Sequence, residues 1–70
     1  MNSNAIKAFA ISEFYKDQED EDKWISFDDN WNINIYVTDW DEGFATIAVY
    51  PVIDKQVDTT HSVFFHRFKI

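Results

Sequence analysis

Strict alternation of apolar and polar residues marks the middle of the chain. Trp31, Ile33, Ile35 and Val37 fall on one face, and Asn32, Asn34, Tyr36 and Thr38 on the other. A period of two is the signature of a strand buried on one side. The run Phe44 to Ile53 reads as its hairpin partner. Between them, Asp41-Glu42-Gly43 suits a three-residue loop in which Gly43, the only glycine, takes the left-handed conformation. That loop predicts pairing of Trp40 with Phe44, Val37 with Ile47, Ile35 with Val49 and Ile33 with Pro51. One face of the hairpin is then aliphatic. The other carries Tyr36, Trp40, Phe44 and Tyr50, expected under a second layer of structure, with an exposed partner-binding patch as the alternative.

The flanking segments are read around this hairpin. In residues 5–15 the large side chains Lys7, Phe9, Ile11, Glu13 and Tyr15 share one strand face and the small Ala8, Ala10 and Ser12 the other. As a helix capped by Ser3 or Asn4, the same residues would set Glu13 inside the apolar stripe, so a strand is expected. Lys16 to Lys23 is a solvated acidic loop; its contiguous acids and lack of glycine fit no calcium-binding loop. Trp24 to Phe27 is a short strand, Asp28 to Asn30 a turn, Asp54 to Thr60 a polar loop, and His61 to Ile70 a final strand. The expected architecture is a single domain over residues 1–70: an all-β, five-stranded antiparallel meander or barrel-like sheet. The alternative is α+β, with an N-terminal helix packed on a four-stranded antiparallel sheet.

Composition narrows the function classes. No cysteine is present, so neither a disulfide nor a cysteine zinc site exists. His61 and His66 point to opposite faces of one strand and do not share a metal. No glycine-rich phosphate loop or supported nucleophile is present, so the chain is expected not to be an enzyme and to need no cofactor. No basic-then-apolar start and no membrane-length run occurs; a cytoplasmic protein is expected. Net charge is −7, and eleven of the thirteen acids lie between residues 13 and 42. Direct nucleic-acid binding, which needs a basic groove, is disfavoured.

The acidic segment is therefore the candidate site. Glu13, Asp17, Glu19, Asp20, Glu21, Asp22, Asp28, Asp29, Asp39, Asp41 and Glu42, with Trp40 as an apolar anchor, are expected to meet a protein partner with a basic surface. Carboxylates alternating along a strand recur at about 6.6 Å, comparable with phosphates along DNA. The leading expectation is an inhibitor of a nucleic-acid-binding enzyme or complex that acts as a nucleic-acid mimic. In size, acidity and absence of cysteine the chain is similar to phage-encoded anti-restriction and anti-CRISPR proteins as a class. No motif aligns with a particular family, so no functional residue is carried over. The alternatives are an immunity or antitoxin protein that neutralises a basic toxin, and a structural module whose terminal strand pairs in a homodimer.

Overall fold

The fold was analysed on a computed structural model, which describes residues 2–16 and 22–70. One helix, α1 (Ser3–Lys16), precedes five strands: β1 (Asp22–Ser26), β2 (Trp31–Asp39), β3 (Phe44–Ile53), β4 (Gln56–Val57) and β5 (Phe64–Lys69). The strands form one antiparallel sheet curled into a half-barrel. Strand β3 is its centre. Along one edge it pairs with β2; along the other it pairs first with β5 and then, at its end, with β4. The mostly-β antiparallel expectation holds, and the helix of the α+β alternative accompanies it.

Residues 5–15 are helical, which corrects the strand read from their alternation. Alanines and Lys7 favour helix, and Ile6, Ala10 and Phe14, spaced by four, make a buried stripe. The objection from Glu13 dissolves, because Lys16 Nζ reaches its Oε1 at 2.8 Å. The cap is Asn2, not Ser3 or Asn4. Its Oδ1 accepts from the backbone N–H groups of Asn4 and Ala5 at 3.1 and 3.2 Å. At the far end Lys23 Nζ donates to the Glu13 carbonyl at 3.0 Å, satisfying a helix-terminal acceptor and tying α1 to β1.

The helix lies over one face of the sheet. Ile6, Ala10 and Phe14 close on Ile33, Ile35, Ala45, Ile47, Val49 and Phe68. Phe14 meets Phe68 edge-on at 5.7 Å, and Phe9 meets Phe27 at 5.4 Å. His66 sits half-buried beside Phe64 on this face.

The β2–β3 register differs from the expected one by two residues. Ile35 faces Ile47, Ile33 faces Val49 and Trp31 faces Pro51. The loop is four residues long, Trp40 to Gly43, and closes through Gly43 N–H to the Asp39 carbonyl at 3.0 Å. A loop longer by one would turn every side chain to the wrong face. The ladder is irregular between Val37 and Asp39, and the extra residue there restores the parity. The aliphatic face therefore survives with different partners.

The sequence reading also missed the β3–β4 hairpin. Its turn residues, Asp54 and Lys55, have φ of 52° and 64°. Both central residues of a two-residue turn are left-handed, a geometry usually signalled by Asn-Gly. Replacing Lys55 by Gly relieves the Cβ conflict, and urea unfolding should show a gain of roughly 0.5–1 kcal/mol. Ile47→Ala, which opens a cavity under the helix, should cost on the order of 2–5 kcal/mol in the same assay.

Candidate binding surface

The turns that end β1 and β3 lie side by side, because the Val52 N–H donates to the Asn30 carbonyl at 2.8 Å. They bring together Asp28, Asp29 and Asp54 around an open depression of about 690 Å³ that also touches Ser26, Asn32 and Lys55. The opposite end of the β2–β3 hairpin carries Asp39, Trp40, Asp41 and Glu42. The eight steps from Trp31 to Asp39 separate the two acidic ends by about 26 Å. Of the expected acids, Asp28 and Asp29 thus stand at one end and Asp39, Asp41 and Glu42 at the other, in turns and at strand termini, while Glu13 lies on α1 and Asp22 begins β1. They do not run along one strand face. Asp17, Glu19, Asp20 and Glu21 lie outside the described residues, as does most of the segment weighed as a calcium loop.

Several of these acids also hold the backbone. Asp28 Oδ1 accepts from the N–H groups of Asn30 and Trp31 at 2.8 and 2.9 Å. Asp39 Oδ1 accepts from the Glu42 N–H at 3.0 Å. Such bonds are the reason Asp favours turns. Asp22 accepts a hydrogen bond from the Asn34 amide, and Glu13 is paired with Lys16. Among the described residues, Asp29, Asp41, Glu42 and Asp54 are exposed and make no side-chain hydrogen bond or ion pair. Their charge is turned to solvent.

The sheet face opposite α1 is not covered by any described element. Among the described residues, then, no second layer lies over the aromatic hairpin face, on which Trp40 is exposed and Tyr36, Phe44 and Tyr50 are half-buried. Cross-strand rows run over it. One row is Asp22, Tyr36, Thr46 and Arg67; the next is Trp24, Asn34, Ala48 and Phe65. Trp24 is 49 % and Phe65 56 % exposed, whereas Asn34, Thr46 and Ala48 between them are buried by their larger neighbours. Trp24 packs on Tyr50 at 5.7 Å. The Arg67 guanidinium lies 4.0 Å from the centroid of the Phe44 ring. Sequence reasoning missed Trp24, Phe65 and Arg67 as a surface. Phe65, Arg67 and Lys69 alternate onto one face of β5, but only the β3–β5 and β1–β2–β3 pairings bring Phe65 and Arg67 level with Trp24 and Asp22.

A third cluster joins Asp58, Thr60 and His61. Asp58 Oδ1 accepts from the Thr60 N–H at 3.0 Å and its hydroxyl at 2.5 Å, while Oδ2 lies 2.9 Å from His61 Nδ1. Thr60 Oγ1 is also 2.9 Å from that same ring nitrogen. A hydroxyl activated by a histidine needs the ring nitrogen opposite the one held by the carboxylate; here both partners crowd one nitrogen. The cluster closes a turn. Among the described residues, no three His, Asp or Glu side chains are arranged to hold a metal ion, and no helix is long and apolar enough to cross a membrane.

No known protein family, no curated protein and no solved structure matches the chain.

Trp40 is 58 % exposed in its turn, so Trp40→Ala should change unfolding free energy by less than about 0.5 kcal/mol. The Thr60 hydroxyl and then the His61 ring hold the Asp58 carboxyl down from 3.8 to about 2. The folded carboxyl titrates below the unfolded one. Its contribution is therefore complete above the unfolded value and lost as pH falls through about 2. A carboxyl carbon shift followed by NMR should show that midpoint, and Thr60→Ala should raise it toward 3.8.

Proposed function

We propose that this chain is a small non-enzymatic inhibitor that covers a basic surface of a nucleic-acid-binding enzyme, in the manner of phage anti-defence proteins. The observation that carries the reading is the pair of solvent-facing acidic ends, Asp28, Asp29 and Asp54 at one and Asp39, Asp41 and Glu42 at the other. Carboxylates that make no ion pair among the described residues are available to lysines and arginines. Two groups about 26 Å apart suit a groove whose cations normally hold phosphates. Trp40, exposed between Asp39 and Asp41, supplies the apolar contact that charge alone does not. Net charge of −7 speeds encounter with such a surface. Occupation of the groove, with the carboxylates standing where phosphates would, excludes the enzyme's nucleic acid.

The test is capture of partners from a host lysate on the immobilised protein, elution along a salt gradient, and competition with DNA and RNA. A nucleic-acid-binding enzyme displaced by nucleic acid, and slowed in its own assay by the added protein, is the expected result. Asp29→Asn with Asp41→Asn and Glu42→Gln should weaken that capture and flatten its salt dependence. A partner that ignores nucleic acid, or binding unaffected by the triple variant, overturns the reading. A toxin encoded beside the chain as the captured enzyme would make the same surface an immunity device.

A further inference from the structure

The open sheet face is self-complementary. Its rows place Asp22 on one edge strand and Arg67, level with it, on the other; the adjacent row places Trp24 and Phe65 in the same opposition. We infer that this face is the interface of a homodimer, two copies packed face to face about a two-fold axis that runs along the strands between β2 and β3.

A rotation about that axis exchanges β1 with β5 and β2 with β3 while leaving each row at its own height. Asp22 then meets the partner's Arg67, and Arg67 the partner's Asp22. Trp24 lies over the partner's Phe65, twice. In the centre, Tyr36 stands over the partner's Thr46, so a large side chain enters the space above a small one. The charges are already held: Asn34 donates to Asp22, and Phe44 lies beneath the Arg67 guanidinium. Two twisted sheets pack face to face with their strands nearly aligned, as this axis requires. A face about 19 Å across and about 20 Å along falls below the standard size of a stable interface, so the dimer is a weak one that forms at high concentration. The same axis leaves both hairpin tips at one end and doubles the acidic groups there. The dimer needs no partner of the kind proposed above.

Sedimentation velocity and light scattering across concentrations up to about 1 mM test the dimer. The expected mass rises with concentration from 8.3 kDa toward twice that value. Arg67→Glu sets two carboxylates against each other and should weaken association at least about tenfold; Phe65→Lys should abolish it. Both variants should keep the wild-type circular dichroism, since both side chains face away from the core. Combining Asp22→Arg with Arg67→Glu restores the charge pairing and should recover the dimer. A chain that remains monomeric throughout overturns the inference. So does a dimer indifferent to Arg67→Glu and Phe65→Lys, which would place association on the strand edges. Quenching of tryptophan fluorescence in the monomer by a single-stranded DNA oligonucleotide, lost in Phe65→Lys, would assign the face to nucleic acid instead.

Discussion

Hydrogen bonding along both edges of β3 is the constraint on which the structure depends. One edge is filled by β2; the other is divided between β5 and β4. A strand satisfied on both sides is the natural seat of the core, and Ala45, Ile47, Ala48 and Val49 are all fully buried. The split edge explains the course of the chain after residue 53. The two-residue turn at Asp54 and Lys55 folds β4 back for a single step. The chain then leaves the sheet, closes the Asp58 turn, and returns as β5 lower on the same edge. The backbone strain at Asp54 and Lys55 is tolerated because the pairing on either side leaves the chain no other path.

Among the described residues one helix covers the sheet. It lies on the aliphatic side, where Ile33, Ile35, Ile47 and Val49 need it. The other side keeps its aromatic rings at the surface. Small domains bury a limited share of their surface, and the open face is the form this limit takes here. It differs from an ordinary solvated face because its largest rings sit on the edge strands and its smallest residues in the middle, with opposite charges at opposite edges.

Charge and packing are separated in space. Among the described residues, Asp28, Asp29, Asp39, Asp41, Glu42 and Asp54 lie in turns and at strand ends, away from the core, and two of these, Asp28 and Asp39, also hold the turns they occupy. Substituting those two confounds recognition with folding. Asp29, Asp41 and Glu42 make no such bond among the described residues and report on charge, whereas Asp54 also occupies a left-handed position of its turn. The acidic ends and the aromatic face are thus distinct surfaces, joined by the long β2–β3 hairpin that spans both.

By itself the sequence determined the strands of the hairpin, the turn at Asp28 to Asn30, the C-terminal strand, and which residues of β2 and β5 share a face. These are local properties: side chains alternate because the backbone is pleated, and Asp, Asn and Gly bend the chain wherever they stand. The acidic excess was equally plain. The tertiary structure alone decided the rest. Residues 5–15 alternate like a strand, yet the aliphatic face of the sheet needed a lid, and only as a helix do Ile6, Ala10 and Phe14 reach it together. Register was settled by the irregularity beside Thr38, which no local pattern announces because it answers the needs of the partner strand. The grouping of acids into two ends, and of Asp22, Trp24, Phe65 and Arg67 into facing rows, depends on successive strand pairings, β1 with β2, β2 with β3 and β3 with β5, that bring level residues more than forty positions apart. Such pairings are set by what the whole sheet buries, not by neighbours along the chain.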